Sequence, residues 1–207
     1  DDYVLAPMES LDFKARDGRR LPAYLTRTTM APDGPQPLVL VVHGGPQARD
    51  YWGLNRTHQW LANRGYHVMS VNYRGSTGFG KAHLLAGQGE WYAGMQDDLV
   101  DAVRWAIAEG IADPNRVVIK GASYGGYAAL AGLTRDPSIF AAAVSEVGPS
   151  NLRTLLASIP LTVRCTSNNQ PLSTSRYRHT RLQRRSREPH TTRHTLPLHP
   201  ALRRSLL

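Results

Sequence analysis

Cysteine is nearly absent from this chain of 207 residues, in which Cys165 is the only one. A single cysteine excludes an internal disulfide, and it leaves thiol-based metal and redox motifs without their second sulfur. No run of 18 apolar residues occurs, and the first residues, DDYVLAPMES, lack the basic and apolar regions of a signal peptide. The sequence therefore points to no metal site, cofactor, membrane insertion or export, and it favours a cytoplasmic location.

Glycine is missing from the last part of the chain, since all 18 glycines precede Pro160. Residues 161–207 hold ten arginines, no lysine and one acidic residue, so the whole formal net charge of +9 lies there. No apolar period of 2 or 3.6 continues into this segment, which therefore cannot bury enough apolar surface to offset its ordering entropy. We expect a folded domain over residues 1–160 and a basic, disordered tail over residues 161–207.

The arginine-rich tail raises the alternative of polyanion binding, because arginines neutralise phosphates with a salt-dependent affinity that ignores sequence. Only Tyr177 is available there for base stacking, which single-strand binding proteins use repeatedly. We interpret such affinity as accidental and expect no specific nucleic-acid partner and no membrane partner.

Valine-rich runs alternate with segments of helical spacing before Pro160. The runs are typical of buried strands in a parallel sheet; they are PLVLVV, YHVMSVNY, RVVIKG and FAAAVSEV. The clearest helical spacing is found at Leu99, Ala102, Val103, Ala106 and Ile107. Two earlier alternating runs, joined by Asp17 and Gly18, predict an antiparallel hairpin. The pattern predicts an α/β fold with a mostly parallel, doubly wound sheet, an antiparallel N-terminal hairpin and right-handed crossovers.

The stretch VVIKGASYGGYAAL places Ser123 in the pattern G-x-S-x-G, where a buried strand meets a helix that begins near Tyr124. This is the context of a nucleophile elbow, a sharp turn that exposes a serine hydroxyl above the sheet. Gly121 and Gly125 leave the turn without Cβ atoms, and Gly126 lets the helix approach its neighbours closely. The helix N-terminus also favours a developing oxyanion. Ser123 is therefore the predicted nucleophile.

A glycine-rich turn follows the earlier strand in LVLVVHGGPQ. An oxyanion hole commonly uses the N–H after the nucleophile and one N–H from this earlier loop, so we assign the donors to Tyr124 and Gly45. His43 precedes the serine, whereas this architecture orders its triad as serine, acid and histidine. We interpret His43 as a residue that shapes the loop.

Several motifs occur together in one order: HGGPQ, NYRGSTGFGK, ADPNRVVIKGASYGGYAAL and AAAVSEVGPSN. Together they resemble the catalytic domain of the prolyl oligopeptidase family of serine peptidases, and most of all its acylaminoacyl peptidase and dipeptidyl peptidase branches. The resemblance covers residues 9 to 160. It implies an α/β-hydrolase domain that cuts short peptides, with Ser123 as nucleophile and Tyr124 and Gly45 as oxyanion donors. It also implies a preceding β-propeller domain that restricts substrate access, and with no initiator methionine we expect that the chain begins at a cut end.

The resemblance implies a triad aspartate in a later HG loop and a histidine in a GH turn, and neither pattern occurs. Asp136 is the last aspartate, and the tail histidines lack glycine, strand or helix context; they are His179, His190, His194 and His199. We therefore expect a hydrolase domain that is incomplete at its C-terminus and inactive alone. We also expect that the sequence from about Leu161 onward is translated out of frame.

Parts of the sequence also match two other functions. A carboxylesterase or lipase is the alternative within the hydrolases, because the same elbow serves esters and peptides. The stretch GSTGFGKA nearly matches a phosphate-binding loop, but Ala82 replaces the hydroxyl residue that would hold Mg²⁺, so we expect no nucleotide binding. A further set of side chains is interpreted as core rather than as a substrate pocket: Trp91, Tyr92, Met95 and Trp105.

Overall fold

The computed structural model describes residues 5–32 and 34–159, so the expected tail and Cys165 lie outside the described residues. The strands are β1 (Met8–Lys14), β2 (Arg20–Thr26), β3 (Gln36–Val42), β4 (His67–Val71), β5 (Ala112–Ala122) and β6 (Ala142–Glu146). The helices are α1 (Arg56–Ala62), α2 (Lys81–Leu85), α3 (Gly94–Ala108), α4 (Tyr124–Arg135) and α5 (Leu152–Ser158). In the described ranges, no helix combines the length and apolar character needed to cross a membrane.

The strands form one mixed sheet in the order β1-β2-β4-β3-β5-β6. β1 and β2 are antiparallel and β2 pairs antiparallel with β4, whereas β4, β3, β5 and β6 are parallel neighbours. The predicted hairpin is confirmed. Its turn is closed by a 2.8 Å hydrogen bond from the Gly18 amide to the Ala15 carbonyl, and Gly18 has the positive φ of 82° that glycine tolerates best.

Helices cover both faces of the sheet, as the pattern predicts for a doubly wound fold. On one face, side chains of α3 and α4 pack with Leu38, Leu40 and Val42 of β3 in the main core. On the other face, Leu61 of α1 packs with Val39 of β3 and with β4. Because successive side chains of a strand point to opposite faces, β3 contributes to both cores and lies in the middle of the sheet.

The last strand, β6, departs from the sequence prediction. FAAAVSEV was predicted as a buried strand, yet four of the five residues in Ala142–Glu146 are exposed. The prediction was wrong because β6 is the edge strand, and within residues 5–32 and 34–159 nothing pairs with its outer side. The following helix, α5, likewise buries none of its residues.

A buried ion pair fixes α3 against the loop that follows β4. Arg74 donates to both carboxylate oxygens of Asp98, from Nε at 2.9 Å and from Nη2 at 2.6 Å, and the Asp98 side chain is fully buried. A buried carboxylate of this kind needs its partner, because an unpaired charge is costly in the interior. The loop from Arg74 to Gly80 is thus anchored beside the carboxyl ends of the parallel strands.

Candidate active site

Ser123 occupies the single residue between the end of β5 and the start of α4. Its backbone has φ 56° and ψ −119°, a conformation that L-residues rarely adopt. The amide of Ser123 donates to the Glu146 carbonyl at 2.9 Å, and its carbonyl accepts from the Tyr127 amide at 3.0 Å. Ser123 is exposed, and its hydroxyl bonds to no other described residue. Rare backbone geometry of this kind clusters at functional sites, where the surrounding structure holds it in place.

The glycines predicted to shape this turn lie in backbone-to-backbone contact. A Cβ atom on Gly121 would lie 2.5 Å from the Gly125 carbonyl carbon, and one on Gly125 would overlap the Val42 carbonyl oxygen. A Cβ on Gly126 would lie 2.8 Å from the Glu146 carbonyl oxygen. Each glycine therefore stands where a side chain would force the backbone apart, which is the physical reason for glycine at all three positions.

Gly148 completes this packing and was not singled out in the sequence. A Cβ on Gly148 would collide with the backbone of Gly126, and it would lie 2.6 Å from the Ser145 hydroxyl oxygen. The signal was available, since Gly148 is the first glycine after an apolar strand run, where close backbone approach is common. The elbow is thus held from two sides, by β3 and by the segment that follows β6.

The loop after β3 packs directly on the candidate nucleophile. A Cβ on Gly44 would lie 3.3 Å from the Ser123 Cβ and 3.1 Å from the Ala122 carbonyl oxygen. Gly45 has φ 121° and precedes Pro46 through a cis peptide bond. Among the loop and turn hydrogen bonds of the described residues, none has the amide of Gly45 or of Tyr124 as donor, and Tyr124 directly follows Ser123 in the chain.

His43 is engaged away from Ser123. Its ring stacks on that of Tyr73 with centroids 4.4 Å apart, Nδ1 donates to the Gly44 carbonyl at 2.8 Å, and Nε2 lies 2.9 Å from the Ser76 hydroxyl oxygen. Burial lowers the pKa of this imidazole, which favours its neutral form. Both ring nitrogens are occupied within the loops, in agreement with the interpretation of His43 as a loop-shaping residue.

The aromatic side chains behind the elbow form a cluster around Tyr124, whose ring is buried. The Trp91 ring centroid lies 4.7 Å away and the Tyr73 centroid 5.3 Å away. Met95 is fully buried in the main core, and Trp91 and Trp105 pack against that core, so the interpretation of these three is confirmed. For Tyr92 it was wrong, because this residue lies in a turn with φ 61° and is 36% exposed.

Asp50 is a charged residue that the sequence pattern did not reveal. Its backbone amide donates to Oδ1 of Asn72 at 2.8 Å, while its own Oδ2 is buried without a hydrogen-bond partner among the described residues. Burial raises the pKa of the Asp50 carboxyl to about 7. Nothing in a glycine-rich loop sequence predicts which acidic side chain turns inward.

Asp136 lies too far from Ser123 to serve as the acid of a triad. Asp136 caps the C-terminal end of α4, whereas Ser123 caps its N-terminal end. Twelve helical residues separate them, which corresponds to about 18 Å along the axis at 1.5 Å per residue. The predicted absence of the triad aspartate and histidine from the chain stays a prediction, because the four tail histidines lie outside the described residues.

Comparison with known proteins identifies the family. The family model described as "Prolyl oligopeptidase family" matches residues 52–198. The chain belongs to the prolyl oligopeptidase family. Dipeptidyl aminopeptidase BIII of Pseudoxanthomonas mexicana is 53% identical over 163 residues, and dipeptidyl peptidase family member 6 of Caenorhabditis elegans is 44% identical over 179 residues. These matches cover 75% and 76% of this chain but 24% of each relative, so the chain spans about a quarter of the length of these relatives.

Solved structures of the family share the fold. A puromycin-hydrolyzing peptidase of Mycobacterium tuberculosis is 32% identical with a TM-score of 0.71, over 75% of this chain and 24% of that one. An acylaminoacyl peptidase solved with Z-Gly-Gly-Phe-chloromethyl ketone is 27% identical with a TM-score of 0.70, over 77% of this chain and 26% of that one. The predicted α/β-hydrolase fold is therefore confirmed. The family match continues past residue 160, so the division of the chain at that point stays a prediction.

Proposed function

We propose that this chain carries the nucleophile and oxyanion hole of a serine peptidase that cleaves short peptides through an acyl-enzyme. The observation that carries the proposal is the exposed Ser123 in rare backbone geometry between β5 and α4, with the Gly44 loop packed against it. Its setting matches a nucleophile elbow, and the family relatives include peptidases by name.

In the proposed reaction, Ser123 Oγ attacks the scissile carbonyl carbon and loses its proton to a base. The carbonyl oxygen becomes an oxyanion that accepts hydrogen bonds from the amides of Tyr124 and Gly45. Removing one such donor costs roughly 3 kcal/mol of transition-state stabilisation in other serine peptidases. When the C–N bond breaks, the amine leaves with a proton and the acyl group stays on Ser123, from which water releases it.

The base and its acidic partner have to come from residues beyond those described. Serine is a weak nucleophile at neutral pH without an adjacent base. We therefore propose that the 207-residue chain is inactive alone, and that activity requires the aspartate and histidine that the family resemblance implies. A β-propeller that limits substrates to short peptides remains part of this proposal.

A segment exchange tests the proposed role of Ser123 independently of the tail. Residues 9–159 of this chain replace the matching segment of dipeptidyl aminopeptidase BIII, and the exchanged protein is assayed with a chromogenic dipeptide amide. We expect turnover, because the relative supplies whatever the segment lacks. Ser123→Ala in the exchanged protein should lower kcat by about 10⁶-fold, as in other serine peptidases.

Ser145→Ala is the matched control, since Ser145 is an exposed serine of the neighbouring strand β6. It should leave kcat within threefold of the exchanged parent. Turnover of the Ser123→Ala protein within tenfold of its parent contradicts the proposal. So does a folded exchanged protein that shows no turnover at all.

A further inference from the structure

Arg49 lies on the same loop as the candidate oxyanion donor, four residues after Gly45. The start of this loop packs against Ser123 through Gly44. At the other end, the amide of Thr77 donates to the Ala48 carbonyl at 2.9 Å, which ties the loop to the glycine-rich segment after β4. Arg49 therefore lies on a loop that contacts both the candidate nucleophile and the glycine-rich segment after β4.

The guanidinium of Arg49 is held between two aromatic rings. Its central carbon lies 4.4 Å from the Phe79 ring centroid and 4.7 Å from the Tyr51 centroid. Contacts at these distances are cation–π interactions, which strengthen when water is displaced. The Nε atom also donates to the Asp50 carbonyl at 3.2 Å, so the stem and ring contacts fix the direction of the side chain.

A glycine makes room for this guanidinium. Gly78 has φ 84°, and a Cβ atom there would overlap Nη1 of Arg49. The Nη2 atom has one long contact, 3.4 Å from the Tyr24 hydroxyl oxygen, and Nη1 has no hydrogen-bond partner within residues 5–32 and 34–159. The Nη1 edge of the guanidinium is thus held in place without a hydrogen-bond acceptor among the described residues.

No carboxylate in the described part of the chain forms an ion pair with Arg49. None of the ion pairs among the described residues includes it. The adjacent Asp50 is not an ion-pair partner of Arg49, because its carboxyl is turned inward and burial raises the pKa of this carboxyl to about 7. An ordered, unpaired guanidinium favours a planar anion, with which it forms two parallel hydrogen bonds.

We propose that Arg49 is a substrate-binding residue that recognises a carboxylate of the peptide, either the free C-terminal carboxylate or an acidic side chain. The proposal rests on the proposed function, since it takes the surface around Ser123 to be the peptide site. It defines a substrate class, short peptides that carry a negative charge. Arg49 binds and positions such a peptide, and takes no part in bond breaking.

Calorimetric titration of the 207-residue chain tests this proposal, in a Ser123→Ala background so that no peptide is consumed. Two pairs of probes separate the two sources of carboxylate. The first pair is acetyl-tetraalanine as free acid and as amide. The second is acetyl-Ala-Ala-Glu-Ala-amide and its glutamine counterpart. In one pair or both, we expect the charged peptide to bind about tenfold more tightly than the neutral one, since charge-assisted hydrogen bonds are the strong ones.

Arg49→Gln should abolish this preference and leave the affinity for the neutral peptides within twofold. Arg49→Lys should keep a reduced preference, because the charge remains while the planar fork is lost. If Arg49 only held the loops together, its replacement would weaken all four peptides equally. The control is Arg104→Gln, at an exposed position of α3, which should change nothing.

Four outcomes overturn the proposal: equal binding of charged and neutral peptides, no saturable binding of any peptide, a preference that survives in Arg49→Gln, or an equal loss for all four peptides. If Arg49→Gln does not fold, an unchanged preference in Arg49→Lys overturns it instead. Failure of the Arg49 proposal can be distinguished from failure of the proposed function. An inactive segment exchange with a persistent charge preference defeats only the assignment of Ser123, whereas an active exchange without charge preference defeats only that of Arg49.

Discussion

The amide of Ser123 donates a 2.9 Å hydrogen bond to the carbonyl of Glu146, the last residue of β6. The Glu146 carboxylate also pairs with Lys120 of β5. The candidate nucleophile is therefore positioned in part by the edge strand of the sheet, whose outer side is unpaired in the described part of the chain. An unpaired strand edge invites association with other chains.

Gly125→Ala should destabilise the domain strongly. The added Cβ would overlap the carbonyl oxygen of Val42, a backbone atom in the middle strand β3 that cannot swing away. We expect the free energy of unfolding to fall by about 3 kcal/mol, the upper end of the usual cost of overpacking. Urea unfolding followed by circular dichroism measures this change, and a midpoint equal to that of the parent would contradict the described elbow packing.

Gly132→Ala is the matched control on the same helix. Its Cβ would lie 3.0 Å from an edge carbon of the Phe140 ring, a side chain that moves more easily than backbone. Alanine also favours the helix over glycine by about 1 kcal/mol. We expect the two effects to leave the unfolding free energy within about 1 kcal/mol of the parent.

Stability should fall in acid because His58 is buried in its neutral form. Nδ1 of His58 lies 3.0 Å from the Thr26 hydroxyl oxygen and Nε2 lies 2.7 Å from that of Ser70. Burial lowers the pKa of His58 from 6.5 to about 4. Between these values the unfolded chain binds a proton that the folded chain does not. The free energy of unfolding therefore falls by about 1.4 kcal/mol for each unit by which the pH is lowered.

His58→Gln removes this titration and replaces the imidazole with an uncharged side-chain amide that has one donor and one acceptor group. We expect the difference in unfolding free energy between parent and variant to change by about 3 kcal/mol from pH 7 to pH 4. Burial also lowers the pKa values of His67 and His83, but these act equally in both proteins. Parallel pH profiles of urea unfolding would refute the prediction.

The glycine-rich segment after β4 should not bind nucleotides. Ala82 lacks the hydroxyl that a phosphate-binding loop uses for Mg²⁺. Its amides are also occupied: that of Gly75 donates to the His83 carbonyl at 2.9 Å and that of Ser76 to the Tyr73 carbonyl at 3.0 Å. We expect calorimetry with ATP or GTP and magnesium to show no micromolar binding. Saturable binding that disappears in Lys81→Ala would prove this wrong.

The 207-residue chain should react poorly with a fluorophosphonate probe, because Ser123 has no base among the described residues. We expect labelling no higher than that of heat-denatured protein. We also expect the gene, read in a shifted frame after the codon for Pro160, to encode an aspartate-bearing HG loop and a later GH turn. Stoichiometric labelling, or the absence of both motifs from every frame, would contradict the predicted disruption.

Sequence patterns predicted the central part of the fold well. Val-rich runs marked β3, β4 and β5 because these strands are covered on both faces, and Asp17 with Gly18 marked the hairpin turn. The same pattern failed at β6, since apolar residues alone do not reveal whether a neighbour covers them. Burial of an edge strand depends on long-range packing, which local sequence does not encode.

The residues of the candidate site likewise fall into those that local sequence predicts and those that it does not. Ser123 and its glycines could be predicted because a strand, a sharp turn and a helix follow one another in the chain. Arg49 and Asp50 could not, since each acquires its role from a segment distant in sequence, whereas Gly148 carried a local signal as the first glycine after an apolar run. Arg49, for example, lies between ring neighbours 2 and 30 positions away, and only the folded chain brings Tyr51 and Phe79 together around it.

The backbone contacts beneath Ser123 also bear on how such a domain diverges. Gly121, Gly125, Gly126 and Gly148 meet through main-chain atoms, so the shape of the elbow depends little on the side chains around it. Substitutions in the surrounding loops would therefore leave the serine in place, whereas a side chain at any of these glycines would force the backbone apart. In such a scaffold the turn is fixed by its own backbone, so the surrounding loops can acquire new substrate contacts without rebuilding the nucleophile.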